Sequence, residues 1–387
     1  MERANVWSSY NQDQIAELEA TNALYKHCLD EGKTERECVK VAVRMAKEKG
    51  YQDIRDLIKN QTPVKAGDKI YAVCMDKSVS LFQIGKKPLE EGMNILGAHI
   101  DSPRIDVKQN PLYESEEFAY LDTHYYGGIK KYQWLTMPLA IHGVVAKTNG
   151  EVVDVCIGES EEDPVFAVTD LLPHLAAKQM EQKANAIIEG EKLDVIIGNR
   201  PLEGVSEDEK EAVKKNMLAI LEERYGMTEE DFVSAELEIV PAGKSRDMGF
   251  DRSMILGYGQ DDKVCALTSL FAMLEAENPE RTGCCILADK EEIGNMGATG
   301  MQSNFFEDMV AEVLALTGED SPVKVRRVLR NSCMLSSDVS AAYDPLYPEV
   351  FEKKNTAYFG RGLVLNKYQE AVERMEQMML TQSMLRK

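Results

Sequence analysis

Short apolar strands alternate with helical segments on both sides of a differently patterned middle region, and this interrupted alternation is the strongest constraint on the fold. Before the middle region, the pattern predicts two helices within residues 11–48, meeting around Cys28–Thr34, and strands at Ile70–Cys74, Ser78–Ile84 and Met93–Ala98. After it, we predict strands at Glu236–Val240, Cys284–Ala288 and Ser332–Leu335, a helix at Val264–Glu277, and a helix or strand at Val310–Leu316. Such alternation is typical of an α/β sheet, here split in sequence.

The middle region, from Asp106 to about Val240, predicts an insertion into that sheet. It contains strand-like segments at Ala140–Lys147 and Glu151–Ile157. Ser206 and Glu209 have the spacing of a capping box, so we expect a helix to begin there, and Gly226 predicts its end.

Charge and composition exclude several classes of protein. The formal net charge is −21 without a block of basic residues, so we expect no nucleic-acid partner. The first twenty residues lack the apolar core of a signal peptide, and no run reaches the roughly 18 apolar residues of a membrane span. We therefore expect a cytoplasmic protein without a membrane partner. The eight cysteines lack C-x-x-C spacing and are predicted to be reduced and mostly buried.

Four segments place histidine or carboxylates directly after an apolar strand or before a helix. They are Gly97–Pro103, Gly259–Lys263, Ala288–Gly294 and Ser336–Asp338. In an open α/β sheet, ligands bind beyond the carboxyl ends of the strands, so we expect these segments to converge.

The residue types in these segments favour a two-metal hydrolytic site. Catalytic zinc takes imidazole nitrogen and carboxylate oxygen and keeps one position for water, and one carboxylate commonly bridges a metal pair. The predicted metal ligands are His99, Asp338, Glu292 and a bridging Asp261. Asp101, two residues after His99, is expected to orient the imidazole, and Glu291 to act as the general base. The other histidines, His27, His124, His142 and His174, have no carboxylate nearby in these patterns and are assigned no metal role.

These segments, in this order, resemble the M18 family of metallo-aminopeptidases, the aspartyl aminopeptidase family. The resemblance runs from the N-terminal helices to about Tyr368 and is strongest in four stretches: GAHIDSPRID (97–106), GYGQDDKVCAL (257–267), DKEEIGNMGATGMQS (289–303) and SSDVSAAYDP (336–345).

The resemblance implies a zinc-dependent aminopeptidase acting on peptides. It implies an α/β fold with a mixed-sheet zinc-peptidase domain, residues 1–108 and 240–368, and an inserted, mainly β dimerisation domain, residues 109–239. It also implies two Zn²⁺ per subunit, with Co²⁺ or Mn²⁺ as alternatives, and a homo-oligomer in which dimers assemble into a tetrahedral dodecamer. Carried over by position, His99 and Asp338 bind one metal, Asp261 bridges, and Glu292 binds the second. Glu291 is then the catalytic base, and Asp101 orients His99.

The sequence departs from the family pattern near its C-terminus. Acid-selective relatives have a lysine where this chain has Asn366, followed by Lys367, so a preference for acidic N-terminal residues stays open. The family's last metal-binding histidine has no counterpart. Residues 369–387 form a Glu-, Met- and Gln-rich tail outside the family pattern, and a one-nucleotide shift of plausible codons yields a family-like Gly-rich continuation. We therefore expect a truncation caused by a frameshift or sequencing error after Tyr368.

Three functions are compatible with these observations. The leading hypothesis is an aminopeptidase. The alternative is a catalytically impaired or inactive metal-binding relic, because the last histidine ligand is missing. A different binuclear hydrolase, such as a deacylase, would use the same kinds of ligand.

Overall fold

The computed structural model describes residues 4–206 and 209–366, so the predictions for the tail at 369–387 lie outside the described residues. In chain order, the strands are β1 (Gln52–Asp53), β2 (Lys69–Cys74), β3 (Ser78–Gln83), β4 (Asn94–His99), β5 (Arg104–Ser115), β6 (Phe118–Tyr126), β7 (Leu139–Ala146), β8 (Val152–Ile157), β9 (Val195–Gly198), β10 (Ala235–Pro241), β11 (Arg246–Met248), β12 (Met254–Leu256), β13 (Gly283–Ala288) and β14 (Cys333–Ser336). The α-helices are α1 (Gln12–Glu31), α2 (Glu35–Glu48), α3 (Ile54–Lys59), α4 (Ala177–Met180), α5 (Ala212–Tyr225), α6 (Gln260–Glu275), α7 (Phe305–Leu316) and α8 (Pro322–Asn331).

The first sheet is mixed and is formed from both ends of the chain, as the interrupted alternation predicts. Its strand order is β1-β2-β3-β13-β4-β14. Strands β13, β4 and β14 run parallel, whereas β3 is antiparallel to both β2 and β13. This arrangement places the carboxyl ends of β13, β4 and β14 side by side at one edge.

Helices cover both faces of this sheet because its strands alternate apolar side chains between two cores. Leu81 and Cys285 pack in one core with α1, α2 and α6, whereas Phe82 and Cys284 pack in the other with α3, α7 and α8. The two successive residues of each pair point to opposite faces, as expected for a strand buried on both sides. The adjacent cysteines are therefore separated by the sheet.

The second sheet is antiparallel and arises from the middle region. Its order is β8-β7-β10-β5-β6-β9, and it has a hydrophobic core of its own. All its strands lie between residues 104 and 241, and β5 pairs with β10 where the chain enters and leaves it. The domain boundaries at 109 and 239 stay a prediction.

Local signals in the sequence account for several helix ends. The capping boxes Asn11/Gln14 and Thr34/Glu37 begin α1 and α2. Gly226, with φ +59°, ends α5 as predicted. The predicted helix start at Ser206 is wrong, because α5 begins only at Ala212, after Glu211 adopts a left-handed conformation with φ +57° that interrupts helical geometry.

Two further predictions can be compared with the structure. The ambiguous segment 310–316 is helical and belongs to α7. The eight cysteines are unpaired; four are buried, three are partly buried and Cys156 is exposed, so half of them rather than most are buried, and their reduced state stays a prediction. Across the described residues, none of the helices is long and apolar enough to cross a membrane.

Candidate metal centre

The four carboxylate- and histidine-bearing segments meet at the carboxyl edge of the first sheet. His99 is the last residue of β4, Glu291 follows β13, and Asp338 follows β14. Asp261 lies in the first turn of α6, where its carbonyl oxygen accepts a 2.8 Å hydrogen bond from Ser102 Oγ. The predicted convergence is therefore confirmed as geometry, while the role of each residue stays a prediction.

Carboxylates from three different segments surround the Nε2 atom of His99. Asp261 Oδ1 lies 3.3 Å away, Glu291 Oε2 3.9 Å and Asp338 Oδ1 4.0 Å. Burial lowers the pKa of His99, but its hydrogen bonds to Asp101 and Asp261 outweigh burial and raise that pKa to about 11. Without a bound cation, a proton on the imidazole thus serves as the counter-charge for these acids.

Asp101 is fully buried and links the two halves of the site. Its Oδ1 lies 3.3 Å from His99 Nδ1 and accepts a 3.2 Å hydrogen bond from the backbone N–H of Glu291. Its Oδ2 accepts hydrogen bonds from the backbone N–H of Glu292 at 3.1 Å and from the Tyr126 hydroxyl at 2.7 Å. Although burial raises the pKa of Asp101, His99 and Tyr126 hold it below its ordinary value. The backbone carbonyl of Asp101 also lies 3.0 Å from His99 Nδ1, closer than its carboxylate, so Asp101 contacts the ring through both groups and its orienting role stays a prediction. Asp101 also holds the backbone of the paired glutamates.

Tyr126 and Arg104 are site-supporting residues that the sequence analysis missed. They are directly paired across β5 and β6, and the Arg104 guanidinium lies 3.9 Å from the centre of the Tyr126 ring. Arg104 is itself buried and forms ion pairs with Glu35 at 3.3 Å and Glu238 at 3.2 Å. No sequence pattern marked Tyr126 as part of the site, because its contact with Asp101 depends on the register of β6 against β5. Through it, the second sheet contacts the metal centre.

Glu292 stands on a short helical turn, Glu291–Ile293, that follows Lys290 in a left-handed conformation. Burial and the nearby Asp261 raise the pKa of Glu292 to about 7. A Cβ at Gly127, whose φ is +73°, would lie 3.2 Å from Glu292 Oε2. Glycine therefore leaves the room that the Glu292 carboxylate needs.

The donor set fits a divalent zinc ion. His99, Asp261 and Asp338 each offer one ligand atom, and these atoms lie within 4.8 Å of one another. One imidazole and several carboxylates are ligands that zinc accepts. Burial also raises the pKa of the adjacent Asp262 to about 7, with Asp338 and Asp261 adding repulsion. A divalent cation would relieve this crowding of negative charge.

A cleft of about 390 Å³ opens beside Asp261. Trp134 and Tyr258 line it with their rings edge to face, 6.5 Å between centroids, and Lys130 adds a positive charge to its wall. Such a cleft can hold a side chain next to the carboxylates.

Three of the four remaining histidines have carboxylate partners, so the prediction that they lack them is wrong for those three. His27 lies 3.4 Å from Glu31, and His124 lies 3.3 Å from Glu191; both histidines are exposed. His142 is buried between two carboxylates, which come from residues 37 and 159. Glu159 is 17 residues from His142 in sequence, whereas Glu37 is 105 residues away and is brought there by the position of α2 beside the second sheet.

Comparison with known proteins points to one family. A family model described as "Aminopeptidase I zinc metalloprotease (M18)" matches residues 28–386. The chain is 56% identical over 367 residues to a probable M18 family aminopeptidase 1 of Clostridium acetobutylicum, covering 95% of this chain and 78% of that protein.

Solved structures of proteins with this fold are also similar to the chain. The crystal structure of aminopeptidase I from C. acetobutylicum superposes with a TM-score of 0.87 at 53% identity, covering 95% of this chain and 79% of the other. The mApe1 dodecamer of S. cerevisiae has a TM-score of 0.70 at 20% identity, covering 88% and 76%, and thus shares the fold.

Proposed function

The chain belongs to the M18 family of aminopeptidase I zinc metalloproteases, and from that premise we propose that it hydrolyses the N-terminal peptide bond of peptides at the candidate metal centre. As a member it is a metallo-aminopeptidase, a hydrolase. The observation that carries the proposal is the ring of carboxylates 3.3–4.0 Å from His99 Nε2, contributed by three segments at one sheet edge.

We assign the residues of the centre the following roles. His99 and Asp338 would hold one zinc ion, Glu292 a second, and Asp261 would bridge them. Bound zinc would polarise the scissile carbonyl and acidify a water molecule. Asp101 holds the His99 ring and the backbone of both glutamates, which supports their orientation.

Glu291 is suited to act as the base. Its side chain is about half exposed, so water can reach it. Burial raises its pKa above the ordinary value; His99 opposes this rise, and Asp338 and Asp101 add to it. A pKa closer to neutrality makes a carboxylate a better proton acceptor near working pH. Glu291 would take a proton from the attacking water and deliver it to the leaving amine.

The two neighbouring glutamates provide a matched test of these roles. Glu291→Gln should abolish hydrolysis of aminoacyl-anilides while the zinc content per chain is unchanged. Glu292→Gln should instead lower the zinc content. Zinc measured by mass spectrometry, together with anilide turnover, separates the two. Full turnover by Glu291→Gln would exclude it as the base.

A second candidate is an impaired enzyme or inactive metal-binding relic. It is favoured by one observation: of the five histidines in the sequence, only His99 belongs to the cluster with Asp261 and Asp338. Two zinc ions per chain with measurable turnover would support the active enzyme. One or no zinc ion without turnover would support the relic.

We propose that the cleft beside Asp261 receives the substrate's N-terminal residue and that acidic residues are among those accepted. Lys130 supports this, because its charge would attract a carboxylate. Asn366, where acid-selective relatives have lysine, is committed to a 2.6 Å hydrogen bond with Ser340. Lys130→Met should lower kcat/KM for Glu- and Asp-anilides relative to Leu-anilide, whereas the control Lys131→Met should not. An equal change in kcat/KM for all these substrates would show that Lys130 does not select the substrate.

We further propose a homo-oligomer, with dimers formed through the middle region and assembled into a tetrahedral dodecamer. The dodecameric assembly of mApe1 motivates this proposal. Within residues 165–180, large apolar side chains are more than half exposed: Val165, Leu171, Leu172, Leu175 and Met180. Such a patch is typical of an interface. The double variant Leu172→Glu/Leu175→Glu should reduce the mass of the assembly measured by light scattering. An unchanged mass would show that this patch is not the interface.

The cytoplasmic location stays a proposal. The free state of all eight cysteines supports it, because reduced thiols are usual in that compartment. Cell fractionation with an antibody against the chain would test it.

A further inference from the structure

A second cluster of metal-binding groups lies where α2 packs against the second sheet. His142 on β7 and Cys156 on β8 are directly paired across the two strands, and Glu37 reaches them from α2. One ligand atom from each of these residues lies within 4.8 Å of the other two. His142 is 2% exposed, whereas Cys156 is exposed, so the cluster is anchored in the interior and open to solvent on one side.

The imidazole in this cluster is already oriented in the way metal-binding histidines usually are. Its Nδ1 faces Glu37 Oε1 at 2.7 Å, and its Nε2 faces Glu159 Oε1 at 3.0 Å. A histidine that ligates a metal with one ring nitrogen commonly donates the other N–H to a carboxylate. Glu159 can play that part here, because it is fixed in turn by the buried Lys33 at 2.5 Å.

We propose that Glu37, His142 and Cys156 form a second, separate site for a divalent transition-metal ion of the zinc type. Imidazole, thiolate and carboxylate are the ligand set that zinc accepts, and the exposed side leaves a fourth position for water. The ion would tie α2 of the first sheet's helical layer to β7 and β8 of the second sheet. The candidate metal centre at His99 takes no part in this site.

The charges of the cluster allow a divalent ion to replace two protons. Without metal, a protonated His142 and Lys33 balance Glu37 and Glu159. Binding a divalent ion releases one proton from His142 and one from Cys156, so two positive charges leave as two arrive. The site stays neutral in both states, which avoids the cost of an unpaired buried charge.

Proton release also defines the conditions for binding. Burial lowers the pKa of His142, but its hydrogen bonds to Cys156, Glu159 and Glu37 raise it to about 11. Metal must therefore compete with a tightly held proton, and the apparent affinity should rise with pH. The groups that face His142 in this competition are Glu37 from α2, Cys156 from β8, Glu238 directly opposite on β10, and Glu159 with its partner Lys33.

Cobalt(II) titration of the full chain provides the test, because a thiolate bound to cobalt gives a charge-transfer absorption band in the near ultraviolet. The wild type should show this band, and Cys156→Ser should lack it. Cys265→Ser is the matched control: that thiol lies four residues from Asp261, and its removal should leave the band intact. No band in the wild type, or a band that survives Cys156→Ser, would overturn the proposal.

A second variant separates ligation from folding. Glu37→Gln retains a residue that can complete the capping box of α2, so the helix should persist. It should weaken cobalt binding by more than about tenfold, since losing even a hydrogen-bond partner of a ligand costs roughly 10–100-fold. Unchanged affinity in Glu37→Gln would exclude Glu37 as a ligand. Thiol reactivity gives an independent readout: zinc should protect Cys156 from a thiol reagent in the wild type.

Discussion

Tyr126 allows the contact between the second sheet and the metal centre to be tested by removing a single atom. Its hydroxyl donates to Asp101 Oδ2 over 2.7 Å, and Tyr126→Phe deletes this bond while leaving the ring beneath Arg104. Asp101 keeps its contacts with His99 and with the two backbone N–H groups. The change therefore weakens the support of Asp101 without removing it.

The expected magnitude follows from the kind of bond that is lost. A hydrogen bond to a charged group contributes about 1.5–3 kcal/mol, so the metal-free Tyr126→Phe protein should lose that much free energy of unfolding. Changing the hydrogen-bond partner of a metal ligand costs roughly 10–100-fold in metal affinity. Because Tyr126 acts one step further away, through Asp101, we expect the lower end, about tenfold. Urea denaturation measures the first quantity, and zinc titration against a competing chelator measures the second.

Tyr113→Phe is the matched control. Tyr113 also donates its hydroxyl to a carboxylate, Asp194, which directly precedes β9 of the second sheet, over 2.6 Å. The Tyr113→Phe protein should lose a comparable free energy of unfolding and keep its zinc affinity, because Asp194 has no contact with the metal centre among those described. If both variants weaken zinc binding equally, or if Tyr126→Phe leaves it unchanged, the positioning role of Tyr126 is refuted.

Three other expectations follow from the same geometry. Gly127→Ala should lower the zinc content, because the new Cβ would lie 3.2 Å from Glu292 Oε2, whereas Gly128→Ala, with nothing within 4 Å of its Cβ, should not. The folded-state pKa of Glu292 is raised from 4.5 to about 7, so in this range the folded metal-free chain binds more protons than the unfolded chain, and Glu292 reduces stability as pH rises. Between pH 4.5 and 7, the free energy of unfolding of metal-free Glu292→Gln, measured by denaturation, should fall less steeply than that of the wild type. An identical slope in the two proteins would contradict the raised pKa of Glu292. Arg104→Met should destabilise the fold by about 3–5 kcal/mol, since it leaves the buried Glu35 with one fewer cationic partner; calorimetry finding a loss below 1 kcal/mol would contradict this.

Much of the first sheet was predictable because its signals are local. Apolar runs with helical or alternating spacing marked the strands and helices, and the capping boxes of α1 and α2 lie within four consecutive residues each. The helix predicted at Ser206 failed because the left-handed Glu211 delays its start, and capping spacing alone does not exclude such a conformation. Local pattern thus identified elements better than it identified their ends.

The sequence also determined which chemical groups stand at the strand ends. His99 terminates β4, and Asp338 follows β14 by two residues, so their place beside the sheet edge follows from covalent order once the strands are parallel. The convergence of these groups could be predicted for that reason.

Only the tertiary structure decided which groups support them from other parts of the chain. Tyr126 reaches Asp101 because of its register with Arg104, and Glu37 meets His142, 105 residues away, because α2 packs on the second sheet. The same sequence that shows His142 without nearby acids thus folds into a cluster with two of them. Strand register and packing are set by many weak contacts acting together, and no short stretch of sequence encodes them.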